Sequence, residues 1–330
     1  MRKAISIMLA VFLSVALMAA LTGCVGETTE TTPTESEPAE PKKVSVGCKN
    51  FAEEYIIGEM MKQVLEANGF EVNYNPDLSS MAMRQGMEAG DLDICAEYTG
   101  TGWTTHLKKD FEAGTGNQEL YDMMKEADEA NGFIWLDPIW NNNTYAMASW
   151  PEFANEHNLE TLSDLAALYN EKDGKVDTFV DFEFSQRKDG LPGLEDFYGF
   201  EIAEGSLNTG QAGMSLTALE NKNTDVAMIF GTDPHVPKHG WVVYEDDKSF
   251  FPPYDLTPNV RAEVLDQYPE IETILNDLVA TFPGGGEEFT SEALAECRTA
   301  WQNLNGEVSI EGKDAEEVAH QYLVDNGLIE

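Results

Sequence analysis

The chain has 330 residues, 42% hydrophobic and 10% aromatic, enough to bury a sizeable core and to fill two domains rather than one. Lys and Arg number 20 against 60 Asp and Glu, a formal charge of −40 that argues against any phosphate-backbone partner and so against nucleic acid. Anionic lipid headgroups are poor partners for the same reason, unless something covalent holds the chain to a membrane.

The first residues supply such a link. Arg2 and Lys3 give a positive start, Ala4 to Ala20 is almost wholly apolar, and the run ends at Leu21-Thr22-Gly23-Cys24. This resembles a bacterial lipoprotein signal, which implies a signal peptide over 1–23 and a Cys24 that is acylated after cleavage. A membrane-spanning anchor needs about 20 apolar residues and a positive cytoplasmic flank; here Glu27 and Glu30 follow instead. Residues 25–43 hold five Thr, five Glu, three Pro and no aromatic residue, too little apolar surface to offset ordering entropy. The expectation is a tether over 24–43, with a globular body starting near Val44.

With Cys24 carrying lipid, Cys48, Cys95 and Cys297 remain, an odd number without CxxC or His-rich spacing. Buried thiols are the expectation, and neither a disulfide framework nor a metal site is signalled. A single Cys48–Cys95 bridge stays open, because both residues fall in predicted strands.

Along the body, Lys43 to Cys48 reads as a strand. Glu53 to Asn68 reads as a helix, with apolar Ile56, Ile57, Met60, Met61, Val64 and Leu65 on one face and Gly69 as its stop. Phe70 to Tyr74 is a predicted strand, Ser79 to Ala89 a short helix with a Ser start and Gly90 stop, and Leu92 to Tyr98 a strand. This alternation predicts a parallel sheet, with ligands bound beyond the carboxyl ends of its strands. Met87-Glu88, Asp93-Ile94 and Tyr98 are echoed 132 positions later by Leu219-Glu220, Asp225-Val226 and Phe230, which suggests two α/β lobes. Asn142 to Ala148 and Lys175 to Asp181 read as strands between the echoes, and Thr161 to Asp164 opens a helix with a capping-box pattern. Beyond Trp241 to Tyr244, Phe251-Pro252-Pro253-Tyr254 breaks regular structure. From Pro258 onward the pattern is helical, roughly 260–281, 290–304 and 313–326, and this strand-poor tail is assigned to the first lobe.

Enzyme chemistry is not signalled. No GxSxG, P-loop, HExxH or GxGxxG follows a strand, and Gly284-Gly285-Gly286 lacks the Lys-Ser/Thr of a phosphate loop. Pairs such as Glu53/Glu54 and Asp91/Asp93 suit a glycosidase, but 60 acids produce such pairs by chance. No cofactor is implied.

Four segments carry a resemblance. They are Val46-Gly47-Cys48-Lys49-Asn50-Phe51-Ala52-Glu53-Glu54; Asp91 to Thr101, containing Glu97-Tyr98-Thr99-Gly100-Thr101; Asn142-Asn143-Thr144-Tyr145-Ala146-Met147; and Phe184 to Gly190 followed by Phe251-Pro252-Pro253-Tyr254-Asp255. In this order they resemble the substrate-binding lipoproteins of ABC importers for glycine betaine, carnitine, choline and related osmoprotectants. The resemblance implies a two-lobed α/β fold of the type II periplasmic-binding-protein kind, with a ligand cleft between lobe I (44–142 plus 251–330) and lobe II (143–250). It implies a cage of aromatic rings at Tyr98, Tyr145 and Tyr254, and at Phe230 in the further segment Ala227-Met228-Ile229-Phe230-Gly231-Thr232-Asp233, around a quaternary ammonium. For the carboxylate of a zwitterion it implies a clamp of Lys49, Thr101 and Arg187. The partners implied are the ligand, a membrane permease and its ATPase, with the chain lipid-anchored on the outer face of the membrane.

The chemistry agrees with that assignment. A trimethylammonium group has charge but no N–H to donate, so the electron-rich faces of rings suit it at about 0.5–2 kcal/mol each. A carboxylate in place of the rings would carry a desolvation cost and would admit metal cations equally. The anionic end of a betaine matches a guanidinium, an ammonium and a hydroxyl. In so acidic a chain, Lys49 and Arg187 are expected to create a local positive spot. Departures from the family pattern concern specificity: Phe230 replaces a usual Tyr, Ala52 a Thr, Glu54 a Gln and Cys48 a Ser, and Trp140 is added before the Asn run. The alternative ligands are choline or another small solute in the same fold.

Overall fold

The structure is a computed structural model and describes residues 41–330, so the signal segment, Cys24 and the tether up to 40 lie outside the described residues. The first strand, β1 (Lys42–Lys49), takes in the last two residues assigned to the tether. Lys42 and Lys43 pair in register with Phe70 and Glu71, and the Lys42 ammonium lies 5.1 Å over the Phe70 ring. A ring contact for Lys42, an ion pair of Lys43 with Glu71 at 2.8 Å and a full ladder partner are reason enough for the strand to start there.

Next come α1 (Ala52–Ala67), β2 (Phe70–Leu78), α2 (Ser80–Ala89) and β3 (Ile94–Tyr98). The six apolar positions read from periodicity on α1 are all buried, and Gly69 turns the chain at φ 85°. Ser79 caps α2 by accepting from the Ala82 N–H at 3.2 Å, and Gly90 closes it at φ 78°. A single turn, α3 (Thr99–Thr101), widens into one π-type turn to His106, then α4 (Asn117–Glu129) and β4 (Phe133–Trp135) follow.

The second sheet is built from β5 (Tyr145–Ser149), α5 (Pro151–His157), α6 (Leu162–Glu171), β6 (Thr178–Asp181), α7 (Leu191–Tyr198), β7 (Leu207–Gly210), α8 (Met214–Glu220), β8 (Val226–Phe230), α9 (His235–His239) and β9 (Val242–Val243). Thr161 and Asp164 form the expected reciprocal capping box on α6. The chain then returns through β10 (Leu256–Arg261) to α10 (Ala262–Gln267), α11 (Glu270–Val279), α12 (Ser291–Ser309) and α13 (Ala315–Asp325). Helices α11, α12 and α13 pack on α1.

β10 corrects the helical reading from Pro258 onward. It runs antiparallel between β3 and β4, with Pro258 opposite Ala96, so the first sheet is mixed rather than wholly parallel. Leu256 to Arg261 does alternate apolar and polar residues, but Pro258 at its middle argues against a strand, and a proline before an acidic stretch mimics a helix start.

The sheet orders are β2-β1-β3-β10-β4 and β7-β6-β8-β5-β9. Substituting each strand by its counterpart converts one order into the other, and the 132-residue echo lies on α2–β3 and α8–β8. The three cysteines of the described residues are free and buried. Register explains why Cys48 and Cys95 do not meet: Gly47, not Cys48, lies opposite Cys95, so the two thiols leave the ladder on opposite faces.

Candidate ligand site

The carboxyl ends of the parallel strands in both sheets converge on one cavity of about 210 Å³. Lys49 ends β1, Tyr98 ends β3 and Phe230 ends β8, while Tyr145 opens the antiparallel β5. Thr101 lies in α3, Arg187 after β6, and Tyr254 just before β10. All seven residues expected at the site line this cavity.

The rings form a connected wall. Tyr145 joins two of them, with ring centroids 5.4 Å from Phe230 and 5.3 Å from Tyr254 in an edge-on arrangement. Phe230 stacks on Phe51 at 5.4 Å, and Phe51 reaches Tyr98 at 6.2 Å. Phe51 is thus a fifth ring, joining Tyr98 to the rest. It sits in the first matched segment, where its signal was an aromatic residue two positions beyond the strand-ending Lys49.

The cations are buried and already partnered. Lys49 Nζ lies 2.5 Å from Glu97 and 3.8 Å from Glu54, 4.7 Å over the Tyr98 ring. Arg187 forks onto Asp189 at 2.9 and 2.6 Å, reaches Glu183 at 3.1 Å and donates to the Thr101 hydroxyl at 3.2 Å. Its guanidinium lies 5.4 Å from the Tyr145 centroid and 5.9 Å from that of Tyr254. Tyr254 donates to Asp189 at 2.7 Å and Thr104 does so at 2.6 Å.

These pairs set the charge states. Burial acts to raise Glu97, but Lys49 outweighs it, with His106 2.8 Å away on the other oxygen, and Glu97 is held down at about 2. Burial acts against the charge of Lys49, and the same Glu97 restores it. Asp189 is kept low against its own burial by Arg187. Glu54 is pushed by burial up to about 8 and Asp181 up to about 6. The expected local positive spot is therefore corrected: each cation has an ionised acid beside it, drawn from an acid-rich chain whose many carboxylates hid these two. Trp140 is not a site residue. It packs against Tyr121 and Phe289 and donates to the Glu287 carbonyl.

Two segments cross between the sheets here and are tied together. Asn143 N–H donates to the Tyr254 carbonyl at 2.8 Å, Tyr254 N–H to Asn142 Oδ1 at 2.9 Å and Asn142 N–H to Asp255 Oδ1 at 2.9 Å. Behind them Glu53 accepts from Tyr98, Asn141 and Asn305.

Two lobes with a ring-walled, charge-balanced hollow at their strand ends define a solute receptor, and the described residues hold no cluster of His, Cys, Asp and Glu fit for a metal. The chain belongs to the family described as the substrate binding domain of ABC-type glycine betaine transport systems, whose model matches residues 42–325. It is 30% identical over 299 residues to a glycine-betaine-binding protein of Pseudomonas aeruginosa, covering 88% of this chain and 90% of that one. A carnitine transport binding protein of Listeria monocytogenes is 29% identical over 291 residues, with 87% and 88% covered. A crystal structure of a glycine betaine/carnitine/choline ABC transporter matches with a TM-score of 0.65 at 26% identity, covering 87% of this chain and all of that one. The chain is thus a substrate-binding protein of an ABC importer and not an enzyme. It acts on the extracytoplasmic side with a permease and its ATPase, and no helix of the described residues is long and apolar enough to cross a membrane.

Proposed function

We propose that this receptor captures a zwitterionic quaternary ammonium compound of the glycine betaine, proline betaine or carnitine type. The observation that carries the reading is the joint lining of one hollow by Tyr98, Tyr145, Phe230 and Tyr254 with Lys49, Thr101 and Arg187. The rings take the trimethylammonium, at about 0.5–2 kcal/mol each, and the three donors take the carboxylate. Binding draws together a lobe I of 44–142 plus 251–330 and a lobe II of 143–250, and the closed form is the one presented to the permease. Cys24 carries the lipid that tethers the body.

A second reading, choline, is favoured by the acids at both cations. A ligand without a carboxylate leaves the Lys49–Glu97 and Arg187–Asp189 pairs intact, whereas a betaine must share their donors. Titration calorimetry of residues 41–330 with glycine betaine, proline betaine, carnitine and choline decides the matter. Heat with the zwitterions and little with choline is expected; the reverse order selects choline, and silence with all four ends the quaternary-ammonium reading.

A further inference from the structure

Glu53 is the second residue of α1, 1% exposed, and its carboxyl collects side chains from four parts of the fold. The Tyr98 hydroxyl donates to Oε1 at 2.9 Å and Asn141 Nδ2 to the same oxygen at 2.8 Å. On Oε2, Thr232 Oγ1 lies at 2.6 Å and Asn305 Nδ2 donates at 3.1 Å. Thr232 Oγ1 is also 2.8 Å from Asn143 Oδ1, and Asn143 lines the ligand hollow. Tyr98 belongs to the first sheet, Thr232 stands two residues beyond Phe230 at the end of β8 in the second, Asn141 and Asn143 lie on a crossing segment, and Asn305 is on α12. Burying a carboxyl is costly unless it is fully hydrogen-bonded, and this one is bonded to both lobes at once.

We propose that Glu53 is the positioning residue of the aromatic cage, holding the Tyr98 ring of the first lobe and, through Thr232, the Phe230 ring of the second at a set spacing. The proposal rests on those rings forming the cation site. A phenol that donates its proton to a carboxyl is fixed in ring angle and has an electron-richer face, and a rigid ring loses no rotational freedom when a cation arrives. Glu53 itself does not line the hollow that the seven residues share; its action runs through Tyr98 and Thr232.

Two measurements on the full-length protein in detergent test this. The first needs no ligand. Glu53→Gln should shift a tyrosine near-ultraviolet absorption band to shorter wavelength, and the difference should vanish when both proteins also carry Tyr98→Phe. No shift, or one that persists in the Tyr98→Phe background, overturns the assignment. The second is a cycle of calorimetric Kd values for glycine betaine. Glu53→Gln should weaken binding roughly tenfold in the wild-type background and less than about threefold in the Tyr98→Phe background. Equal losses in the two backgrounds mean that Glu53 acts by general packing, and the proposal falls. Should Glu53→Gln fail to fold, Tyr98→Phe and Thr232→Val, each deleting one bond to Glu53 while keeping shape, carry the test: unchanged affinity in both overturns it. A wild-type protein that binds no quaternary ammonium defeats the cage reading alone, since the absorption experiment still decides whether Glu53 holds Tyr98.

Discussion

Arg187 shows how a single side chain reports on ligand choice. Its fork is occupied by Asp189, and its plane lies near the rings of Tyr145 and Tyr254. Arg187→Ala removes a donor for a carboxylate and leaves Asp189 uncompensated beside the cage. Betaine affinity should fall at least about tenfold while choline affinity holds or rises, because a free carboxylate attracts a cation. Equal losses for the two ligands in a calorimetric comparison would make Arg187 a structural residue. Tyr145, which joins the Phe230 and Tyr254 rings of the wall, should cost more than about 1 kcal/mol of binding free energy on truncation to Ala, with the melting curve checked for retained folding. The positions of these residues were legible from the matched segments, that of Phe230 from residues 227–233, and not from periodicity, which sees only that Tyr98, Tyr145 and Phe230 stand at strand ends. Glu97 and Asp189 were illegible for a physical reason: nothing local separates two paired carboxylates from the other 58 acids until the fold brings Lys49 and Arg187 to them.

Helices announced themselves where periodicity and caps agreed. For α1 the buried stripe and Gly69 stop, for α2 the Ser79 and Gly90 caps, and for α6 the Thr161–Asp164 box were each encoded within a few neighbours. β10 was not, because Pro258 inside it argues against a strand, and its partners Tyr98 and Trp135 are far away in sequence. The segment joining β8 to the crossing is similarly dictated by distant contacts. A side chain on Gly231 would bring its Cβ to 2.9 Å from the Asn142 carbonyl, while Gly231 N–H donates to the Thr144 carbonyl at 2.8 Å. Gly231→Ala should therefore destabilise the protein by roughly 1–3 kcal/mol and weaken ligand binding, since the crossing must shift away from Phe230. Chemical denaturation with and without ligand checks both effects, and a neutral substitution would show that the crossing yields freely.

At the scale of the molecule, buried carboxyls set the response to pH. Burial raises Glu54 to about 8, Asp255 to about 7 and Asp181 to about 6, so between their unfolded values near 4 and these pH values the native state binds more protons than the unfolded chain. Their contribution is complete below about pH 4 and is lost as pH rises through 6 to 8. Glu97, held at about 2 by Lys49 against its burial, has the opposite sign and loses its contribution as pH falls from about 4.5 towards 2. The melting temperature should peak near about pH 4 to 5 and decline from there to about pH 8, most steeply below about pH 6 where all three acids contribute, and Asp255→Asn should flatten the part of that decline below about pH 7. Scanning calorimetry at constant ionic strength measures this, and a flat profile would contradict these raised values.

The placement of β10 bears on how the protein is made. Strands β5 to β9 are contiguous, so the second sheet is complete once residue 243 has emerged. The first sheet lacks an inner member until residues 256–261 arrive, leaving β3 and β4 without the neighbour that joins them. During synthesis or export the earlier-born half must wait, unsealed, for the later one, and a truncation before Leu256 should strand the amino-terminal half while sparing the middle of the chain.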